Sequence, residues 1–401
     1  MDYHKLGFPI KAEAVFKKKP KICSWVEKED EHINNPDLSW FNFDNINFSL
    51  IINDIKYCNL KLVYHNGKET GCRVLRHTNG NTTIIIKLYF IEHQLGNSID
   101  ESIINDINFY KLHNHKLNNN AIKMIGKPFH IPVWSGFDNL NSEFILGYMM
   151  EDGVKTVEES SFYNICNYDY FKNDSQIKII EFKTHHMQLF YNFMGQTIKC
   201  MANLHKNNIY HLDIKPSNLL MDGRQFDFET SPTPEKFTQI LNKIYYPSDD
   251  HTEYICTGTP GYQAPEVLMI SQYYPEIPHE SKYPYIWEKM DIFSLGCSLC
   301  NILFGISFYI DCRDIKWDNI YPKLILNYFI TFNNPKIDTR EAYWLYFGHN
   351  GYMHHLLSQL KERYLYGHDY IDLISNMIHL DHNDRISSDQ LIKSIEYIQS
   401  Y

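Results

Sequence analysis

Tyr210-His211-Leu212-Asp213-Ile214-Lys215-Pro216-Ser217-Asn218-Leu219-Leu220 sets an acid, an amine and an amide at fixed offsets, then runs into an apolar segment. Asp213 offers a carboxylate able to accept or orient the proton of an attacking hydroxyl. Lys215 carries an ammonium that offsets charge developing on a transferring group. Asn218 adds a hard amide oxygen of the kind Mg²⁺ accepts. Together on one tight loop, these are the groups that phosphoryl transfer from a nucleotide to a hydroxyl requires. A plainer reading makes Asp213 a cap for backbone amides in a turn before Lys215-Pro216. It leaves the joint spacing of three chemically matched groups unexplained.

The string resembles the catalytic loop of eukaryotic-type Ser/Thr protein kinases, H-R-D-L-K-P-x-N, with Leu212 where that family usually has Arg. Other parts of the family pattern follow in order. Phe226-Asp227-Phe228-Glu229 resembles D-F-G, which gives Asp227 the Mg²⁺ beside Asn218. Glu229 replaces the Gly whose φ freedom helps that segment flip between states. The residues between, with Asp222-Gly223, predict a hairpin closed by a type I′ turn. Gly258-Thr259-Pro260-Gly261-Tyr262-Gln263-Ala264-Pro265-Glu266 resembles the segment ending in A-P-E, and Thr259 with Lys215 resembles Ser/Thr rather than Tyr kinases. Asp291-Ile292-Phe293-Ser294-Leu295-Gly296 resembles the start of the central helix, where the Asp braces the catalytic-loop backbone. Arg385 is then the expected buried partner of Glu266.

Upstream, Lys87 ends the apolar run Ile84-Ile85-Ile86 and resembles the Lys of V-A-I-K. The resemblance implies that Lys87 touches the nucleotide phosphates and pairs with an acid on the next helix. Asp106 falls in register for that acid, with Glu101 as the alternative. Asp is one methylene shorter than Glu, so the ion pair is expected only when the helix moves inward. Gly67 and Val74 stand where the ends of the phosphate-covering G-x-G-x-x-G-x-V belong, with Gly71 displaced by one, and backbone amides there are expected to cradle phosphates. Leu146-Gly147-Tyr148-Met149 is the expected hinge, with backbone groups of Gly147 and Met149 binding adenine. Glu151 or Asp152 is expected at the ribose.

The resemblance implies an α+β, bilobal fold with a small β-rich N-lobe, a larger helical C-lobe and nucleotide held between them. Periodicity agrees. Leu60, Leu62 and Tyr64 alternate with polar neighbours, and Thr82 to Ile86 is a β-branched run. Ile103, Ile107 and Tyr110 keep helical spacing, as do Phe190, Met194, Ile198 and Met201. The expected organisation is an N-terminal extension over 1–45, an N-lobe over 46–149 and a C-lobe over 150–401. The extension, with basic Lys17-Lys18-Lys19-Pro20-Lys21 and an acidic stretch from Glu27 to Glu31, reads as a solvated tail.

The implied activity is that of an ATP-dependent, Mg²⁺-requiring Ser/Thr protein kinase acting on protein hydroxyls. The alternative is a pseudokinase or nucleotide-binding scaffold, which would not need Lys87, Asp213, Asn218 and Asp227 together. Small-molecule kinases generally lack the Ala264-Pro265-Glu266 element. Leu212 removes the Arg that clamps a phosphorylated activation segment, so activity is expected not to depend on phosphorylation at Thr252 or Thr257. Thr233-Pro234-Glu235 followed by Phe237, Ile240, Leu241 and Ile244 predicts a capped helix that packs on the kinase body or a partner.

Bulk properties narrow the partners. The chain has 401 residues and a formal charge of −10, which argues against nucleic acid and anionic membranes as partners. No apolar run is long enough for a membrane span, and the first residues lack a secretory pattern. Nine scattered Cys read as reduced thiols of a cytoplasmic compartment, with Cys297 and Cys300 as core thiols rather than a zinc site. Abundant Asn, Ile, Tyr and Lys match AT-rich genomes, including those of some parasites and large DNA viruses. Oligomeric state leaves no mark on the sequence.

Overall fold

Alternating apolar residues build a β-rich unit, and 3.6-residue periods build a helical one. The computed structural model describes residues 8–16, 48–65, 72–80, 82–91, 101–132, 144–153, 155–158, 166–169, 178–182, 184–246, 258–259, 261–268, 270–304, 348, 351–363 and 367–400. By packing, the chain divides into Met1–Asn114 with Ile122–Asp152, and His115–Ala121 with Gly153–Tyr401.

The first unit holds β1 (Ile10–Lys11), β2 (Glu13–Phe16), β3 (Phe48–Ile52), β4 (Ile55–Tyr57), β5 (Lys61–His65), β6 (Cys72–Asn79), β7 (Thr82–Ile91), α1 (Glu101–His113), β8 (Met124–Pro132) and β9 (Phe144–Glu151). Six strands form one sheet in the order β1-β8-β9-β7-β6-β5, and β2-β3-β4 form another. Leu75, Ile86, Leu88, Phe129 and Ile131 meet in its core, since every second residue of a strand faces the same side. The solvated-tail reading is corrected over residues 8–16. There β1 lies parallel to β8, β2 pairs antiparallel with β3, and Phe8 is fully buried. Its backbone oxygen bonds His130 Nδ1 at 2.9 Å. Burial of Phe8 offsets the entropy of ordering the strands. The basic and acidic runs from Lys17 to Glu31 lie outside the described residues.

The second unit contains the hairpin of β10 (Cys166–Asp169) and β11 (Lys178–Phe182), then α2 (Thr184–Lys206), α3 (Pro234–Tyr245), α4 (Pro265–Leu268), α5 (Ile270–Tyr273), α6 (Tyr283–Phe304), α7 (Tyr352–Arg363), α8 (His368–Met377) and α9 (Ser388–Gln399). The whole stretch from Lys289 to Phe304 of α6 is buried, as its apolar sequence predicts. Cys297 and Cys300 lie within it, and burial pushes both thiols well above their ordinary range. The short stretch 115–121 belongs here because Asn120 Oδ1 accepts from Asn203 of α2 and Ala121 bridges Gln225. Among the described residues no helix is long and apolar enough to cross a membrane. A β-rich unit followed by a mainly helical one is the α+β fold expected of a two-lobed kinase.

α3 is the helix expected within the activation segment. Thr233 caps it, accepting from Lys236 N at 3.2 Å, and Pro234 opens its first turn. Its apolar face turns onto the unit's own core. The Phe237 ring meets Tyr283 and Trp287 edge-on, with centroids 4.8 and 5.3 Å away.

Candidate active site

The catalytic-loop candidate begins where α2 ends. Asp291, the third residue of the buried stretch of α6, accepts two consecutive backbone amides: His211 N at Oδ2 (2.8 Å) and Leu212 N at Oδ1 (2.7 Å). His205 of α2 reaches the same Oδ2 at 3.0 Å. This clamp holds Leu212 in a left-handed conformation, φ +60°, which a bulky L-residue rarely adopts. The Leu212 side chain is buried in the apolar core, where a clamping Arg would have carried charge. Gly258, φ +84°, lies against this loop; a Cβ there would stand 2.5 Å from Leu212 O. Thr252 and Thr257 lie outside the described residues.

The structure brings Asp213, Lys215 and Asn218 together. Lys215 Nζ donates to Asp213 Oδ2 at 2.8 Å and to Thr259 Oγ1 at 2.7 Å. Thr259 Oγ1 in turn donates to Asp213 Oδ1 at 2.6 Å. Asn218 Nδ2 donates to the Asp213 backbone oxygen at 2.9 Å and to its Oδ2 at 3.3 Å. With Nδ2 so committed, the amide oxygen is the end of Asn218 that a cation would use.

Asp227 follows at once in space, because Phe226 N donates to Asn218 O at 3.3 Å. His211 ties the two segments. Its Nε2 faces Phe226 O at 2.8 Å while its Nδ1 accepts Asp213 N at 3.3 Å, a pattern that requires the Nε2–H tautomer. Asp227 is left-handed, φ +66°, and the Phe228 ring beside it packs on His211 with centroids 4.6 Å apart. The hairpin between Asn218 and Asp227 is present, but its turn differs from the expectation. Gly223 N bonds Leu220 O at 2.8 Å, and only Gly223, at φ +84°, is left-handed there. That is a type I turn with a left-handed Gly; Asp222 stays right-handed while its carboxylate accepts Arg224 N at 3.2 Å.

In the first unit, Lys87 Nζ pairs with Asp106 Oδ2 at 3.1 Å. The short acid reaches the ammonium in this structure, and the pair is formed. The Glu101 side chain lies outside the described residues. Val74 lies directly across from Lys87 in the β6–β7 ladder, whereas Gly67 and Gly71 fall outside the described residues.

The hinge expectation is corrected too. Gly147 and Met149 sit inside β9, which pairs with β7 on one side and β8 on the other. Gly147 lies across from Leu88 and Phe129, and Met149 from Ile86 and Ile125. A strand flanked on both sides spends its N–H and C=O groups on its neighbours, so these residues have none for adenine. Gly147 serves packing instead, since a Cβ would meet the Phe129 ring at 2.7 Å. Asp152 pairs with Arg76 at 3.2 Å, and Glu151 Oε2 accepts Lys123 N at 3.3 Å.

Two side chains escaped the sequence reading. Tyr89 and Tyr148 both donate to Asp106 Oδ2. Strand alternation places Tyr89 on the face of Lys87, a signal that was available; Tyr148 needs the β7–β9 register, which puts it opposite Lys87.

Farther along, Arg385 and Glu266 form the expected buried pair, with Nη1–Oε1 at 2.5 Å and Nη2–Oε2 at 3.0 Å. Arg385 also donates to the backbone oxygens of Lys289 and His379, so its guanidinium is satisfied without water.

The comparisons agree with this geometry. A model of the protein kinase domain matches residues 138–397. The chain is similar to a probable cyclin-dependent serine/threonine-protein kinase of Dictyostelium discoideum, 24% identical over 310 residues, covering 68% of this chain and 20% of the relative. It is 26% identical over 158 residues to the liver/testis phosphorylase b kinase gamma catalytic chain of Homo sapiens, covering 38% of this chain and 32% of the relative. Serine/threonine-protein kinase cds1 of Schizosaccharomyces pombe is 31% identical over 135 residues, 32% of this chain and 26% of the relative. The chain thus spans between a fifth and a third of the length of these curated relatives. With the domain model covering more than half of the chain, and the Asp213 loop, Asp227 segment and Glu266–Arg385 pair in place, this chain belongs to the protein kinase domain family.

Proposed function

We propose that the chain is a Ser/Thr protein kinase that transfers the γ-phosphoryl group of ATP to hydroxyls of protein substrates. The observation that carries this reading is the Lys215 ammonium shared between Asp213 and Thr259. Asp213 accepts the proton of the attacking hydroxyl as its oxygen bonds to the γ-phosphorus and the bond to the β-phosphate oxygen breaks, releasing ADP. Lys215 offsets charge on the transferring oxygens. Lys87, oriented by Asp106, is the phosphate anchor.

The donor chemistry suits magnesium: an amide oxygen on Asn218 and a carboxylate on Asp227 are hard oxygens, and Mg²⁺ takes few protein ligands beside phosphates. When bound, the ion neutralises phosphate charge. The preference for an alcohol is supported by the Asp213 carboxylate already accepting a Thr hydroxyl at 2.6 Å, and by the names of the relatives. Cys58, Cys72, Cys200, Cys297 and Cys300 are free thiols, which supports a reducing, cytoplasmic setting.

Incubation with labelled ATP, Mg²⁺ and generic protein substrates tests the reading, with Asp213→Ala alongside. The variant is expected to lose about 10²–10⁴-fold in kcat. ATP binding with wild-type turnover no greater than that of the variant would make the chain a nucleotide-binding scaffold instead.

A further inference from the structure

Asp106 is fully buried on α1, yet one oxygen carries its whole compensation. Oδ2 takes Lys87 Nζ at 3.1 Å, Tyr89 OH at 3.2 Å and Tyr148 OH. Oδ1 is buried with no hydrogen-bond partner among the described residues. A buried carboxylate needs hydrogen bonds and a counter-charge in place of water, and these three donors supply them. The same two phenols flank the cation. Lys87 Nζ lies 5.3 Å from the Tyr89 ring centroid and 6.0 Å from that of Tyr148, within the range of cation–π attraction. Tyr110 of α1 packs on Tyr148 with centroids 5.8 Å apart.

We propose that Tyr148 and Tyr89 are positioning residues for the phosphate-anchoring lysine. Their hydroxyls fix the Asp106 carboxylate in place, and their rings hold Lys87 against it. The purpose rests on the kinase reading above; the arrangement itself does not. It accounts for an Asp where a longer acid would be expected, since two phenols from β7 and β9 reach toward α1 in place of the missing methylene. Burial and the Asp106 charge push the Tyr148 pKa well up, which keeps that phenol protonated as a donor. Lys87, Tyr89 and Tyr148 together fasten α1 to the sheet through Asp106.

Tyr→Phe substitutions keep the rings and remove only the hydroxyls. The full chain and its Tyr148→Phe, Tyr89→Phe and doubly substituted forms are to be acylated with a water-soluble amine reagent at one neutral pH, without nucleotide. Rates for each lysine are read by peptide mass spectrometry, with circular dichroism melts as the fold control. Losing the donors loosens the Asp106 carboxylate and with it the ion pair that shields the Lys87 amine, and a lost hydrogen bond to a charged group corresponds to about tenfold in the freed amine. The double variant is expected to label Lys87 about tenfold faster, with Lys111 and Lys123 unchanged. An unaltered Lys87 rate in the folded double variant overturns the proposal. So does a rise shared by all lysines, which reports only loosened structure. Equilibrium ATP binding is measured on the same proteins. If Lys87 labelling responds as expected but the wild-type chain binds no ATP, the positioning role stands and the kinase reading falls.

Discussion

Thr259 Oγ1 donates to Asp213 Oδ1 at 2.6 Å, and the same hydroxyl oxygen accepts Lys215 Nζ at 2.7 Å. One hydroxyl thus links the candidate base to the ammonium beside it, across a long stretch of chain. Hydrogen bonds to charged groups contribute about 1.5–3 kcal/mol, which corresponds to about 10–100-fold in rate if lost at the transition state. Thr259→Val is expected to lower kcat by that factor while Thr259→Ser keeps most of it. Steady-state kinetics on both variants checks this, and equal loss in the two would deny the hydroxyl its role.

Glu266 and Arg385 are both almost wholly buried, so truncating one leaves the other charge without compensation. Arg385→Ala is expected to destabilise the second unit by about 3–5 kcal/mol. Denaturant titration followed by far-UV circular dichroism measures it.

Phe237 is the main anchor of α3, set edge-on against Tyr283 and Trp287. Phe237→Ala should cost about 3–5 kcal/mol, and removal of the N-cap by Thr233→Ala about 1 kcal/mol. Hydrogen exchange over residues 234–245 should be slow in the wild type and fast in Phe237→Ala; fast exchange in both would mean that the helix is not formed in solution.

Leu212 is buried where a phosphate-clamping Arg would stand. Thr252→Ala combined with Thr257→Ala is therefore expected to retain activity in the labelled-ATP assay. Abolished turnover in a folded double variant would contradict this.

His382 is buried among the rings of Tyr273, Tyr274 and Tyr285, with Asp381 Oδ1 3.8 Å away. Burial lowers its pKa below the ordinary 6.5, ahead of the opposing pull of Glu266 and Asp381 and the push of Arg385 and Lys289. Below pH 6.5 the unfolded chain binds a proton that the folded chain resists. The His382 contribution is thus full above that pH and is lost as pH falls toward the folded value. Urea midpoints from pH 7.5 to 5.5 should drop more steeply in the wild type than in His382→Gln.

The chemistry of this chain was legible in short stretches. Asp213, Lys215 and Asn218 lie within one loop, so local spacing alone marked them, and the capped amphipathic period of 233–245 marked α3. Glu266 and Arg385 were paired through resemblance to family motifs, and the fold delivered the contact. Other features depended on which strand lies beside which. Gly147 and Met149 looked like a hinge because the apolar run ending at Leu146 carries no record of neighbours on both sides.

Sequence by itself determined the loop chemistry, the helical periods and the strand alternation, because each is set by residues a few positions apart. Tertiary structure decided that Phe8 anchors strands in the first unit, that Tyr148 stands across from Lys87, and that two phenols meet on the acid that pairs with it. Those outcomes depend on register and burial between distant segments, where packing free energy selects among local conformations that the sequence leaves equally open.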